Sequence, residues 1–409
     1  MLVSLLACLA TLPNDKLLVV DLDDVPESLI ASVTHPFFDS LDQHGRRYTR
    51  FYTAPVCTPT RAQMHYGVHS SHPDLQQPWL ISRPELNDET PVNGPLQPLG
   101  LALQSHRVTT AKVGKWHLSA RHILDHPMRM GWDVYAGSMS NVIDYDNYAI
   151  NLMGTATRLY GTNLTELETD LGIAAMAAGF DLVSVSYHSI HDPFHVPPGD
   201  WGALGVGTDP LSLGTLMLEH LASELDRLTT FAQVLGYQLI LFSDNGGVQA
   251  LGGDKGSIRE GGVKNVMWCC GPDVEPGVDA SLVGAYDLYD TILEFFGVPD
   301  SPDRGPESVS FLGTWQGAVG TRETVFQERF TRNLTDPADV PTDWHRVVFG
   351  KSHKLVMRSN RPRFSRVDTT TGDPLLSVFI PPLSSTDAAA LSQLHQAMQD
   401  RTGLMLALP

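Results

Sequence analysis

The chain has 409 residues, 42% hydrophobic and 18% charged, the composition of a globular protein with room for one large domain and a smaller one, and it excludes a fibrous or disordered chain. Its 28 Lys and Arg stand against 46 Asp and Glu, a formal charge of −18, which disfavours nucleic acid and anionic membrane surfaces as partners. Any anion site in such a chain has to be assembled locally from few cations.

Residues 1–13 open with MLVSLLACLA, an apolar run without a basic flank and too short to span a bilayer. Leu5-Leu6-Ala7-Cys8 loosely resembles a lipoprotein cleavage box. The run therefore reads either as an export signal, giving a periplasmic, extracellular or lipid-anchored protein, or as the start of a cytoplasmic one. No other apolar stretch reaches spanning length, so no integral membrane span is expected. The four cysteines, Cys8, Cys57, Cys269 and Cys270, form no CxxC pattern and imply no disulfide framework.

From residue 14 to 325, short apolar runs alternate with helical patterns, as in a parallel sheet with crossover helices. The expected class is α/β, a large mixed and mostly parallel sheet flanked by helices. Leu17–Val20 runs into Asp21-Leu22-Asp23-Asp24. In PVCTPTRAQMHYG, proline is tolerated at a helix start and Gly67 suits a helix end. Cys57 is thus expected at the positive end of a short helix, where a thiol pKa is lowered. Arg61, one turn along, shares its face and could hold a nucleophile or a bound oxyanion. Taken alone, this pattern also describes a buried cysteine beside a capping proline.

Lys115 and His117 in GKWH are two apart, so an extended segment turns both the same way. Asp181–Tyr187 is an apolar run ending at His188, His191 and His195, and Leu211–Phe231 has the leucine spacing of a crossover helix. Gln238–Phe242 leads into Ser243-Asp244-Asn245-Gly246-Gly247, and Lys255 sits in the glycine-rich run Asp254–Val263. In open α/β sheets ligands bind at the carboxyl ends of strands, so the three run endings can share one crevice. Asp23, Asp24, Asp244 and Asn245 offer hard oxygen ligands, which suit Ca²⁺ or Mg²⁺ and not zinc. An isolated Asp pair after a strand is equally an ordinary turn. Residues 326–409 read as a smaller unit, with a hairpin over His345–Met357, a second turn within Ser365–Leu376 and a closing helix over Ala388–Met405.

Cys57-Thr58-Pro59-Thr60-Arg61, with Gly114–His117, Ile190–Pro197 and Asp254–Val263 in this order, resembles the type I sulfatases of the alkaline phosphatase superfamily. The resemblance covers nearly the whole chain. It implies that a formylglycine-generating enzyme converts Cys57 to formylglycine, whose hydrate attacks sulfur with one oxygen and later expels sulfate with the other. It further implies a Ca²⁺ site, Mg²⁺ being the other option, formed by Asp23, Asp24, residue 57, Asp244 and Asn245. Arg61, Lys115, His117, His191 and Lys255 would then surround the sulfate, His191 and Lys255 assisting the departing alcohol and His117 taking the second hydroxyl proton. Sulfatases also end in a small antiparallel sheet with a terminal helix, which fits the C-terminal pattern. The implied activity is hydrolysis of a sulfated small molecule or saccharide. Alternatives are a phosphonate or phosphodiester hydrolase of the same superfamily and a catalytically silent carbohydrate-binding relative. The segment between Asp24 and His35 is shorter than is usual in the family.

Specificity is expected in rim loops at residues 119–129 and 139–165. Trp132, Tyr135, Tyr145 and Tyr148 read either as stacking surfaces for a ring or as packing. Asn163 and Asn333 head glycosylation sequons by pattern.

Overall fold

The computed structural model describes residues 15–75, 89–199, 207–299, 305, 307–330, 344–358, 361–367, 369, 374–377 and 383–402. The run 1–13 with Cys8, the turn before Pro374, the sequon at Asn333 and the end of the expected closing helix at 403–405 lie outside these residues.

Every residue of the first strand, β1 (Leu17–Leu22), is buried. Leu17 and Val19 join the apolar cluster on one face of the sheet, while Leu18, Val20 and Leu22 join that on the other. This is the period-two alternation of a strand covered on both sides. The short segment after Asp24 forms α1 (Glu27–Ile30), followed by α2 (Pro36–His44), β2 (Arg46–Tyr52) and α3 (Cys57–Tyr66). Next come α4 (Leu99–Ser105), β3 (Thr110–Gly114), α5 (His126–Arg129), β4 (Val134–Gly137), β5 (Asn147–Leu152), β6 (Thr155–Tyr160), α6 (Leu164–Ala177) and β7 (Leu182–Ser186). The large unit ends with α7 (Pro210–Val234), β8 (Gln238–Ser243), α8 (Glu260–Val263), β9 (Lys264–Cys270), β10 (Gly277–Asp279), β11 (Val283–Gly284) and α9 (Asp287–Phe295).

Hydrogen bonding orders the large sheet β10-β2-β9-β8-β1-β7-β3-β4-β5-β6, with β11 beside β2. β1 lies between β7 and β8 and runs parallel to both, while β9 and the β5–β6 hairpin run antiparallel to their neighbours. The three apolar runs that end in polar residues are thus the three central strands, and their carboxyl ends open at one place. The leucine-spaced segment forms α7, whose capping Asp209 accepts from the N–H groups of Leu211 and Ser212 and whose Leu218, Leu221, Leu225 and Leu228 are fully buried.

The segment 139–165 does not form the single loop expected. Most of it is the β5–β6 hairpin, which extends the sheet edge with its turn at Met153-Gly154, where Gly154 adopts φ +87°. Trp132, Tyr135, Tyr145 and Tyr148 are all buried in the core clusters, and Tyr148 also lines a cavity. Asn163 is also buried, its side chain capping α6 at Thr165, and is closed to glycosylation in the folded chain.

A second, antiparallel sheet contains β12 (Thr324–Phe330), β13 (Trp344–Gly350), β14 (His353–Arg358), β15 (Arg361–Val367) and β16 (Pro374–Ser377) in that order. The hairpin read at His345–Met357 is β13 and β14. The closing helix α10 (Ser385–Thr402) starts earlier than read and packs Leu391, Leu394 and Met398 on Phe326, Val348 and Phe364. From the opposite face, Val325, Val347 and Phe349 pack against Ile258 and Val263. The small sheet therefore backs the segment that carries Lys255, with Lys354 paired to Glu260 in α8.

Candidate active site

The carboxyl end of β1 places three aspartates within four residues. Asp21 lies in the strand, while Asp23 and Asp24 lie beyond it, and Asp24 adopts a left-handed φ of 63°. A non-glycine residue held there is strained, a cost met where the surroundings fix a functional side chain. The backbone N–H of Asp24 donates to Asp244 Oδ1 (3.3 Å), that of Asp244 to the carbonyl of Leu22 (3.0 Å), and that of Ile190 to the carbonyl of Asp23 (2.7 Å). The endings of β1, β7 and β8 are thus stitched directly to one another.

Cys57 begins α3 as expected, and Gly67 ends that helix in the left-handed region. The expected lowering of its pKa is corrected. Burial pushes the thiol up, against the pull of Lys115 and Lys255, because the side chain is only 6% exposed. Its Sγ lies within 4.8 Å of carboxylate oxygens of Asp23 and Asp244.

Arg61 sits one turn along α3, fully buried. Its Nη2 lies 2.7 Å from Asp21 Oδ2 and 3.5 Å from Asp244 Oδ2, and its Nη1 donates to the carbonyl of Lys115 (2.9 Å). Lys115 donates to Asp23 Oδ2, and Lys255 donates to both oxygens of Asp24 (2.5 and 2.7 Å). Glycines place Lys255. A Cβ on Gly246 would lie 1.8 Å from the carbonyl oxygen of Gly261, and one on Gly253 1.8 Å from that of Gly246, so the two loops close only without side chains there.

His117 is buried, but it is not in an extended segment. β3 ends at Gly114 and His117 adopts φ 59°, with its N–H bonded to the carbonyl of Met139. Burial, then the charges of Lys115 and Arg61, hold its pKa well below the usual histidine value. The imidazole is neutral at pH 7, and its Nδ1 is buried with no hydrogen-bond partner.

The histidine cluster after β7 separates by partner. His188 is buried between Glu168, 2.5 Å from Nδ1, and the carbonyl of Ser140, and His195 lies against Tyr145 with ring centroids 4.4 Å apart. His191 faces the site, with Nε2 3.9 Å from Asp24 Oδ2 and 3.3 Å from Asn141 Nδ2, while Nδ1 lies 2.7 Å from the carbonyl of Asp192.

Asn245, expected as an oxygen ligand, lies among the same carboxylates. Its Oδ1 accepts from the N–H of Gly247 (3.1 Å), and its Nδ2 donates to Asp24 (3.0 Å) and Asp244 (2.7 Å). In this orientation it ties two carboxylates together.

The carboxylates behave as a set. Burial opposes the charge of Asp23, yet Lys115 foremost, then His191, Lys255 and Arg61, hold it well below its usual value. Burial and the charge of Asp23 push Asp244 well above its own. Asp23 Oδ1 is buried without a hydrogen-bond donor. Hard oxygens, an orphaned carboxylate oxygen and a carboxylate driven toward protonation by its neighbour fit a divalent cation among Asp23, Asp24 and Asp244.

Sequence reasoning passed over Asp21 and Lys112. Lys112 donates to Ser184 Oγ (2.9 Å) and Ser186 Oγ, lies 3.5 Å from Asp21, and is pushed down to about 8, chiefly by burial. The strand position of Asp21, between two apolar residues in an otherwise apolar run, is the signal that could have found it.

Residues 29–197 match the family model described as Sulfatase. Arylsulfatase J of Mus musculus is 25% identical over 297 residues, 64% of this chain and 48% of that protein, so the match spans about half the length of the curated relative. The solved structure of Ps i-CgsB in complex with k-i-k-neocarrahexaose superposes with a TM-score of 0.78 over 94% of this chain and 92% of its own, at 16% identity. The phosphonate monoester hydrolase SpPMH of Silicibacter pomeroyi does so with 0.65 over 96% of each chain, also at 16% identity. At these identities the structural likeness is one of fold. The family match over residues 29–197 and the shared architecture make this chain similar to sulfatases in sequence over that stretch and in fold over nearly its whole length.

Proposed function

We propose that the chain hydrolyses a sulfate ester to an alcohol and inorganic sulfate, using a formylglycine made from Cys57 and a divalent cation held by Asp23, Asp24 and Asp244. The observation that carries this reading is the placement of Cys57 at the head of α3, its Sγ within 4.8 Å of carboxylate oxygens of Asp23 and Asp244. The raised thiol pKa argues against a thiolate nucleophile and agrees with Cys57 as a precursor. Formylglycine would supply an oxygen nucleophile with a second hydroxyl as exit, and the cation, Ca²⁺ or Mg²⁺, would draw charge from the ester oxygens.

The side chains divide the remaining work. Lys115 and Lys255, both held charged by buried aspartates, stand beside residue 57, where fixed cations stabilise charge developing on a transferring anion. Arg61 braces the floor through Asp21 and Asp244. Neutral His117, with an unpartnered buried Nδ1, can accept a proton. His191, only partly buried, directs Nδ1–H to the Asp192 carbonyl and Nε2 toward Asn141 and Asp24, and in its protonated form it would give a proton to a departing alcohol. The deciding experiment is a parallel assay of the matured protein on an aryl sulfate and an aryl phosphodiester. Preferential cleavage of the sulfate supports the proposal, and preferential cleavage of the diester replaces it.

A further inference from the structure

Beside His191 lies a cavity of about 180 Å³ between the segment after β4 and the β5–β6 hairpin. Asn141 joins the two, since it lines the cavity and its Nδ2 meets His191 Nε2 at 3.3 Å. The wall of the cavity is bonded to the site elsewhere too, through the Met139 carbonyl, which accepts from the N–H of His117. A molecule seated here lies next to the group placed to protonate a leaving alcohol.

Two features define what fits. Tyr148 and Ile150 line the cavity, and Ile143, 83% exposed, stands at its mouth as an apolar side chain. The volume is below the roughly 300–1,000 Å³ of pockets for drug-sized ligands, so it accommodates one ring and not a longer oligosaccharide. The second feature is charge. Arg121 braces the floor, Nε to Ser140 Oγ and Nη2 to the carbonyl of Asn141, both at 3.1 Å. Arg158 of β6 also lines the cavity, its Nε donating to Asn147 Oδ1 (2.8 Å), and among the described residues no carboxylate pairs with it. In a chain of net charge −18 this is a local exception.

We propose that this cavity seats the alcohol half of the ester, a single sugar or aryl ring carrying a second anionic group, and that Arg158 recognises that group. The proposal rests on the sulfate ester reading and adds the substrate class. An exposed guanidinium beside an apolar slot suits a planar carboxylate or a sulfate-like group held by two N–H donors.

The test compares kcat/KM of the matured enzyme on phenyl sulfate, its ring-carboxylated analogue and its ring-sulfonated analogue, for wild type, Arg158→Ala and Arg158→Lys. Wild type should prefer one of the anionic analogues, and the choice between them separates carboxylate from sulfate-like recognition. Arg158→Ala should lower the anionic-to-neutral ratio about tenfold, chiefly through KM, the worth of one charge-assisted hydrogen bond. Arg158→Lys should restore part of it. A ratio equal in wild type and Arg158→Ala overturns the proposal, as does a wild-type preference for the neutral ester. Turnover of none of the three by wild type counts against the sulfatase reading instead. Calorimetric binding of 4-hydroxybenzoate against phenol then decides the cavity by itself, tighter binding of the benzoate that is lost in Arg158→Ala supporting it and equal binding overturning it.

Discussion

Arg61 and Asp21 form an ion pair beneath the head of α3, Nη2 to Oδ2 at 2.7 Å, with both side chains only 2% exposed. A buried charge that loses its partner is far worse off than an intact pair. Asp21→Asn is therefore expected to lower stability by about 3 kcal/mol, softened because Asp244 also faces Arg61. Urea unfolding checks this, and a loss below about 1 kcal/mol would show that Arg61 does not depend on Asp21.

His188 and His191 are neighbours in sequence with opposite surroundings. His188→Ala strands the buried Glu168 carboxylate and should cost about 2–4 kcal/mol of stability. His191→Ala removes a partly exposed ring facing Asp24, and should leave the melting temperature nearly unchanged while cutting kcat about a hundredfold or more. Melting curves and turnover measured on both variants separate the two. The reverse pattern would reassign the site histidine.

Glu307 makes stability depend on pH. Burial works against its charge, but His69 and then Arg401 hold the carboxyl down to about 2, whereas an unfolded glutamate titrates near about 4.3. With the folded value below the unfolded one, its contribution is present in full above about pH 4.3 and is lost as pH falls through about 2. The shift is worth roughly 3 kcal/mol at neutral pH. Unfolding free energies between those limits should fall less steeply for Glu307→Gln than for wild type, and parallel curves would contradict the assignment.

The carboxylates Asp23, Asp24 and Asp244 predict stabilisation by a cation. Adding Ca²⁺ or Mg²⁺ to EDTA-treated protein should stabilise it by mass action, by about 2.7 kcal/mol at a hundredfold excess over Kd, and so raise the melting temperature. Asp244→Asn should blunt the rise. An identical melting temperature with EDTA and with saturating Ca²⁺ or Mg²⁺ would remove the cation from the account.

The centre of the fold was legible because β1, β7 and β8 are apolar runs ending abruptly in polar residues, and central parallel strands have to look that way. The β5–β6 hairpin was not, because an edge hairpin with one exposed strand carries too little hydrophobic alternation to stand apart from a loop. Asn141 was missed for a related reason, its contact with His191 spanning fifty positions and leaving no local pattern. The direction of the Cys57 shift was misread because the helix end is a local property, while the burial that outweighs it belongs to the folded site, where Asp23 and Asp244 from distant segments close on the thiol. His117 departs from an extended path because its N–H is claimed by Met139, a tertiary bond that no local spacing announces.

The most direct test of the central claim is mass spectrometry of the tryptic peptide Phe51–Arg61, from protein produced alongside a formylglycine-generating enzyme. The account predicts the aldehyde at residue 57, together with turnover of an aryl sulfate that Cys57→Ala abolishes. An unmodified thiol at Cys57, in cells that convert another sulfatase, would contradict it.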